Sequence, residues 1–116
     1  MKNAFEVADP DWNRSPLTGM TKKHYVDCAK YLLERAFRHV DSIDTPIDFP
    51  IVAGKTYPQP EAPDWRYRSA EWEALERTFT LAGPLIHNDR DVSIKGIKLR
   101  EYYGKHIFNA LTPGHR

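Results

Sequence analysis

The apolar positions of this chain fall into three stretches with helical spacing, separated by segments that lack it. Between Thr21 and Val40, the residues Tyr25, Cys28, Ala29, Leu32, Ala36 and Val40 recur three or four apart, the period of one helix face. Val26, Leu33 and Phe37 widen that stripe, so the helix expected over about 22–40 should touch more than one neighbour. Thr21 is its expected N-cap, the hydroxyl accepting from an amide one turn on. Lys22 and Lys23 oppose the helix dipole, whereas Arg38 and His39 suit its negative end. A second stripe of Trp72, Leu75, Phe79, Ala82 and Ile86 predicts a helix over about 70–86, capped by Ser69 and favoured by Glu71 and Glu73 in its first turn. Pro84 removes the amide bond to residue 80 and is expected to kink the last turn. A third stripe of Leu99, Tyr102, Tyr103, His106, Ile107 and Ala110 predicts a helix over about 95–111. Gly96 weakens its start by about 1 kcal/mol relative to alanine, and Thr112-Pro113-Gly114 stops it.

Each helix also carries an acid four residues before a base: Glu34 and Arg38, Glu73 and Arg77, Glu101 and Lys105. No strand pattern competes, since the prolines around Ile47 to Val52 exclude a central strand. The expected fold class is therefore all-α, with three main helices.

The segments between the stripes differ in kind. Residues 1–20 read as an irregular N-terminal arm, punctuated by Pro10, Pro16 and Gly19 and anchored by Phe5, Val7, Trp12 and Leu17; residues 21–116 read as the helical domain. The connector 41–68 is longer than loops within compact domains usually are. It holds five prolines, Pro46, Pro50, Pro58, Pro60 and Pro63, and then the run Trp65-Arg66-Tyr67-Arg68. A disordered linker would lack Ile47, Phe49, Ile51, Val52, Tyr57, Trp65 and Tyr67, so the segment reads as an ordered, proline-rich functional loop packed on the helices.

Composition narrows the classes. With 17 basic and 16 acidic residues, the chain exerts no long-range pull on nucleic acid or an anionic membrane, and neither is an expected partner. No apolar run approaches the ~18–20 residues that span a bilayer, and the first residues lack the apolar core of a secretory signal, so a cytoplasmic location is expected. Cys28 stands alone, which excludes an internal disulfide and paired-cysteine zinc sites.

Several segments together resemble a bacterial family catalogued as domain of unknown function 2264. They are Gly19-Met20-Thr21, Gly54-Lys55-Thr56-Tyr57-Pro58, Trp65-Arg66-Tyr67-Arg68, Glu73 to Arg77, Pro84-Leu85, Gly96 to Leu99 and Tyr102-Tyr103, from about Trp12 onward. The resemblance implies an α/α toroid, related in architecture to six-hairpin glycosidases and polysaccharide lyases, and hence carbohydrate processing. Members of the family are several times longer. The chain is thus expected to correspond to the first helices of such a ring, a partial toroid that contributes a substrate-binding loop and is inactive by itself.

The residues permit that reading and a plainer one. Trp65 and Tyr57 offer ring faces to a sugar, and Arg66 and Arg68 offer forks to a carboxylate. With Tyr67, Glu73 and Arg77 they form the candidate substrate-binding set for an oligosaccharide or a uronic-acid-containing glycan. Alternatively, in an extended stretch Trp65 and Tyr67 face the core while Arg66 and Arg68 face solvent. Glu73 and Arg77 are either a solvated helix pair or, as the resemblance implies, cavity residues. Asp44, Asp48, Glu61, Asp64, Glu71 and Glu73 offer carboxylates, but no spacing selects a catalytic pair. Among His24, His39, His87, His106 and His115 there is no short metal-ligand pattern; His87-Asn88-Asp89 reads as a helix end, and neither metal nor cofactor is expected. Cys28 reads as a small core residue, and Tyr102, Tyr103 and His106 as core rings with polar tips. The alternative function is a non-enzymatic helical module that binds a protein partner, or itself, through apolar helix faces.

Overall fold

The fold, taken from a computed structural model, is described for residues 4–114. The outer ends of the expected arm and helical domain, and His115, lie outside them. The chain is helix-dominated: α1 (Lys22–Ala36) runs into a single 3-10 turn (Phe37–His39), a long connector leads to α2 (Asp64–Asn88), and a short hairpin precedes α3 (Leu99–Leu111). The hairpin strands, β1 (Ser93–Ile94) and β2 (Ile97–Lys98), pair antiparallel with Ser93 opposite Lys98 and Ile94 opposite Ile97. α1 and α3 both pack on α2.

One buried cluster joins these elements. Leu33, Phe37 and Val40 come from the end of α1 and its 3-10 turn; Ala74, Leu75, Ala82 and Leu85 come from α2; Leu99, Tyr102 and Tyr103 come from α3. Val92 and Ile94 of the hairpin and Ile47 of the connector complete it. Phe37, Tyr102 and Tyr103 form an aromatic centre, with Phe37 and Tyr102 centroids 4.8 Å apart. The hydroxyls stay paired: Tyr102 donates to the Thr45 carbonyl at 2.6 Å and Tyr103 to the Thr78 hydroxyl at 2.7 Å. Each pairing removes the cost of burying a phenol without a partner.

Four expectations are corrected. The three-helix, helix-dominated expectation holds with a small hairpin added: Lys95 and Gly96 adopt φ of 55° and 76° and turn the chain back, so α3 starts at Leu99 rather than near 95. Two successive residues at positive φ are the signature of a tight hairpin turn. α2 begins at Asp64, six residues before the expected start near 70: Pro63 ends the connector and Asp64 supplies the acid of the first turn, so Ser69 lies inside the helix. α2 also passes Pro84 and reaches Asn88. Gly83 removes the Cβ clash that a residue before proline normally suffers. Finally, α1 ends at Ala36, its last turn tightening into the 3-10 geometry.

The faces are also rotated relative to the apolar stripes. Tyr25 and Leu32 on α1, and Trp72 and Phe79 on α2, are exposed. The core instead takes the adjacent register of Leu33 and Phe37, and of Ala74, Thr78, Ala82 and Leu85, because small residues let the helices approach.

The N-terminal arm lies on α1. His24 is the joint: the Thr21 amide donates to Nδ1 at 2.9 Å, and Nε2 donates to the Ala8 carbonyl at 2.6 Å. Thr21 thus precedes the helix as expected, but the reciprocal partner in its capping arrangement is a histidine. Among the described residues, no helix is long and apolar enough to cross a membrane.

Candidate functional site

The connector from residue 41 to 63 is held at both ends. At its start, α3 presents Tyr102, Lys105 and His106 on one face. They reach the Thr45 carbonyl, the Asp44 carboxylate and, at 2.8 Å, the Ile43 carbonyl. At its far end the Tyr67 hydroxyl lies 2.6 Å from the Pro60 carbonyl and 3.1 Å from that of Gln59. The middle folds on itself. Thr56 Oγ1 accepts from the Val52 amide at 2.8 Å, and Gln59 Oε1 accepts from the Gly54 amide at 2.8 Å. Gly54 sits at φ 72°, where a side chain is disfavoured. Ile47 and Pro58 are buried, and the Tyr57-Pro58 peptide is cis.

This ordered connector and about the first four turns of α2 border a cavity of about 690 Å³, within the ~300–1,000 Å³ typical of small-molecule sites. Of the seven candidate residues, Tyr57, Trp65, Arg66, Tyr67, Glu73 and Arg77 line it. Arg68 does not. It borders a separate recess of about 350 Å³ with Asp64, Tyr67 and Glu71.

Helical geometry explains the split. Because residues 65–68 wind within α2, their side chains fan by about 100° per residue instead of alternating. Trp65 is therefore exposed, Arg66 and Tyr67 are half-buried, and Arg68 points to solvent. The pattern with Trp65 and Tyr67 inside and both arginines outside is not observed.

Arg66 occupies the centre of the polar side. Its guanidinium lies 4.9 Å from the Trp65 ring centroid and 5.4 Å from that of Tyr57, and it donates to the Tyr57 hydroxyl. Both contacts suit a cation over a π face. Among the described residues, no carboxylate pairs with Arg66. Arg77 is different: its Nε meets Glu73 at 3.3 Å, with the two side chains 79% and 53% exposed. That is a solvated helix pair on the cavity rim, worth a few tenths of a kcal/mol.

Asp48 and Glu71 also line the cavity, so its fixed charges include three carboxylates, counting Glu73, and two guanidinium groups. Residue types alone did not single out Thr56, which lines the cavity, or Gln59, which accepts from the Gly54 amide beside it; the glycine at 54, a turn residue, was the available signal. Among the described residues, no group of three or more His, Cys, Asp or Glu side chains is arranged to hold a metal ion. Cys28 is a half-buried free thiol on α1.

No family model, curated protein or solved structure matches the chain.

Proposed function

We propose that the cleft between the connector and α2 binds an oligosaccharide, and that this chain is a helical unit of a carbohydrate-processing protein with the partial α/α-toroid architecture that its sequence resemblance implies. The carrying observation is the Tyr57–Arg66–Trp65 stack beside the cavity. Tyr57 is 74% exposed and Trp65 57% exposed, so both rings offer surface to a ligand beyond what Arg66 covers. Between them sits a guanidinium whose carboxylate-binding edge is not engaged by any described acid. Sugar rings stack on such faces, and a uronate carboxylate or a pair of hydroxyls accepts from the guanidinium. The surrounding carboxylates leave Arg66 as the point at which a ligand carboxylate is received. The function supported is binding, with no residue assigned to catalysis.

The test is a titration with neutral xylo-oligosaccharides and with trigalacturonate, following tryptophan fluorescence. A saturable change in the parent chain that disappears in Trp65→Ala is the expected result. A flat response to both series removes the proposal.

A second reading, a helical interaction module, is favoured by a different observation. Trp72 and Phe79 are large, exposed and outside the cavity lining.

A further inference from the structure

We propose that two copies of this chain associate through α2, antiparallel, along the seam Trp65–Trp72–Phe79. The proposal rests on the interaction-module reading and shares one residue, Trp65, with the glycan cleft. The three aromatics are spaced by seven residues, so they follow one line along the helix. Each is exposed: 57% for Trp65, 42% for Trp72 and 39% for Phe79. At 1.5 Å per residue the line is about 21 Å long. The buried residues Ala74, Thr78, Ala82 and Leu85 sit about 80–160° round the helix from Trp72, on the side away from Glu73 and Arg77. The cavity residues Glu73 and Arg77 sit about 100–140° round the helix from Trp72, so a partner on the seam reaches the cleft only at Trp65.

Three observations identify the occupant as another copy. First, the seam has its own charge complement. Arg68 and Glu76 lie four residues before and four residues after Trp72, and neither has an ion-pair partner among the described residues. An antiparallel copy centred on Trp72 brings Arg68 of each chain level with Glu76 of the other, and Trp65 level with Phe79. Second, the chain exposes 8399 Å², about 1,900 Å² more than the ~6,500 Å² expected of a folded chain of 13.5 kDa. Its radius of gyration is 16.5 Å, against about 13 Å for a compact chain of this length. A standard interface covers about 800 Å² per partner, which that excess supplies. Third, a formal net charge of +1 leaves little repulsion between copies.

Sedimentation equilibrium of the full chain tests this. The expected mass is twice the 13.5 kDa of the chain, falling to the single-chain value in Trp72→Glu with the helical circular dichroism unchanged. Should that variant misfold, the exposed charges carry the test. Arg68→Glu and Glu76→Arg each weaken association about tenfold or more, and an equimolar mixture of the two recovers it, since each chain then meets opposite charges. A parent that sediments as a single chain at every concentration overturns the proposal. So does an oligomer indifferent to these variants, or a loss of association that mixing fails to repair. Trp72→Glu lies outside the cavity lining, so its glycan titration reports on the cleft separately.

Discussion

The Lys95 ammonium donates to the Val40 carbonyl at 2.8 Å, joining residues 55 positions apart. The same ammonium lies 3.3 Å from the Arg38 carbonyl and 3.5 Å from that of Phe37. A lysine at the tip of the β-hairpin therefore closes the C-terminal end of α1 and its 3-10 turn, where the dipole is negative and the Phe37 carbonyl also accepts from the Val40 amide at 3.0 Å. It does so from φ 55°, a conformation that costs a non-glycine residue about 1 kcal/mol. Lys95→Met keeps that cost and loses the cap, so it should lower stability by about 1–2 kcal/mol. Lys95→Gly loses the cap but relieves the backbone, so its loss should be smaller. Urea unfolding midpoints of the two variants give the comparison; equal losses would remove the strained-turn account, and no loss in either would remove the cap.

Two glycines separate backbone conformation from steric contact. Gly19 and Gly54 have φ of 68° and 72°. A Cβ on Gly54 meets nothing within 4 Å, whereas one on Gly19 falls 2.6 Å from the Pro10 Cβ. Gly54→Ala should cost about 1 kcal/mol, the backbone contribution alone. Gly19→Ala should cost more, roughly 2–4 kcal/mol, and should lift the arm from α1, breaking the His24 bond to the Ala8 carbonyl. Denaturation midpoints measure the first difference, and amide exchange in residues 4–20 the second. A larger loss from Gly54→Ala would contradict the packing of Pro10 on Gly19.

The helices were legible because three apolar stripes with a period near 3.6 residues need few long-range facts. What failed was local. Ser69 reads as the helix cap, whereas the helix begins at Asp64 after Pro63, and that difference decides whether Trp65 to Arg68 alternate or fan. Packing of α2 on the connector, with Tyr67 reaching Gln59 and Pro60, selects the earlier start. The hairpin was hidden because each strand is two residues long, too short for an alternating pattern, and lysine is a poor announcement of a positive φ. The exposed seam was hidden too. Trp72 and Phe79 share a stripe with Leu75 and Ala82, and only the crowding of the three helices shows that the core takes Leu75 and Ala82 with Ala74 and Leu85 and leaves the two aromatics outside. Six of the seven candidate site residues meet at one cavity because the connector folds back on the start of α2, a contact that spacing along the chain does not encode.

Burial of the two central tyrosines makes stability depend on alkaline pH. Burial pushes the Tyr103 phenol up to about 12 from 10.0, with its contact to Thr78 acting in the opposite direction. Tyr102 is raised further, first by burial and then by the charge of Tyr103. Below about pH 10 both the folded and unfolded forms keep these protons, and stability is insensitive to their titration. Above that, the unfolded chain releases protons that the folded chain retains. Stability should then fall by up to about 1.4 kcal/mol per pH unit for each tyrosine until the folded phenols themselves ionise. Unfolding midpoints measured from pH 8 to 12 should show this decline. Combining Tyr102→Phe with Tyr103→Phe should flatten it while costing about 1–3 kcal/mol at neutral pH through the lost hydrogen bonds. An unchanged alkaline slope in that double variant would assign the titration elsewhere.

Arg66 and Arg77 border one cavity but have different partners, and the difference predicts opposite consequences of removing them. Arg66 is half-buried against Trp65 and Tyr57 and donates to the Tyr57 hydroxyl, so Arg66→Ala should cost about 1 kcal/mol of stability. It should also weaken trigalacturonate binding at least tenfold, as expected for loss of a charge-assisted contact. Arg66→Lys keeps the charge without the planar fork, so its binding should fall between the two. Arg77 holds only an exposed ion pair with Glu73. Its alanine variant should change stability by a few tenths of a kcal/mol and leave binding within about threefold of the parent. Fluorescence titrations of the three variants, read beside their urea midpoints, separate folding from recognition. If Arg77→Ala abolished binding while Arg66→Ala retained it, recognition would lie on the helix rim, and the aromatic stack would be a staple for the connector alone.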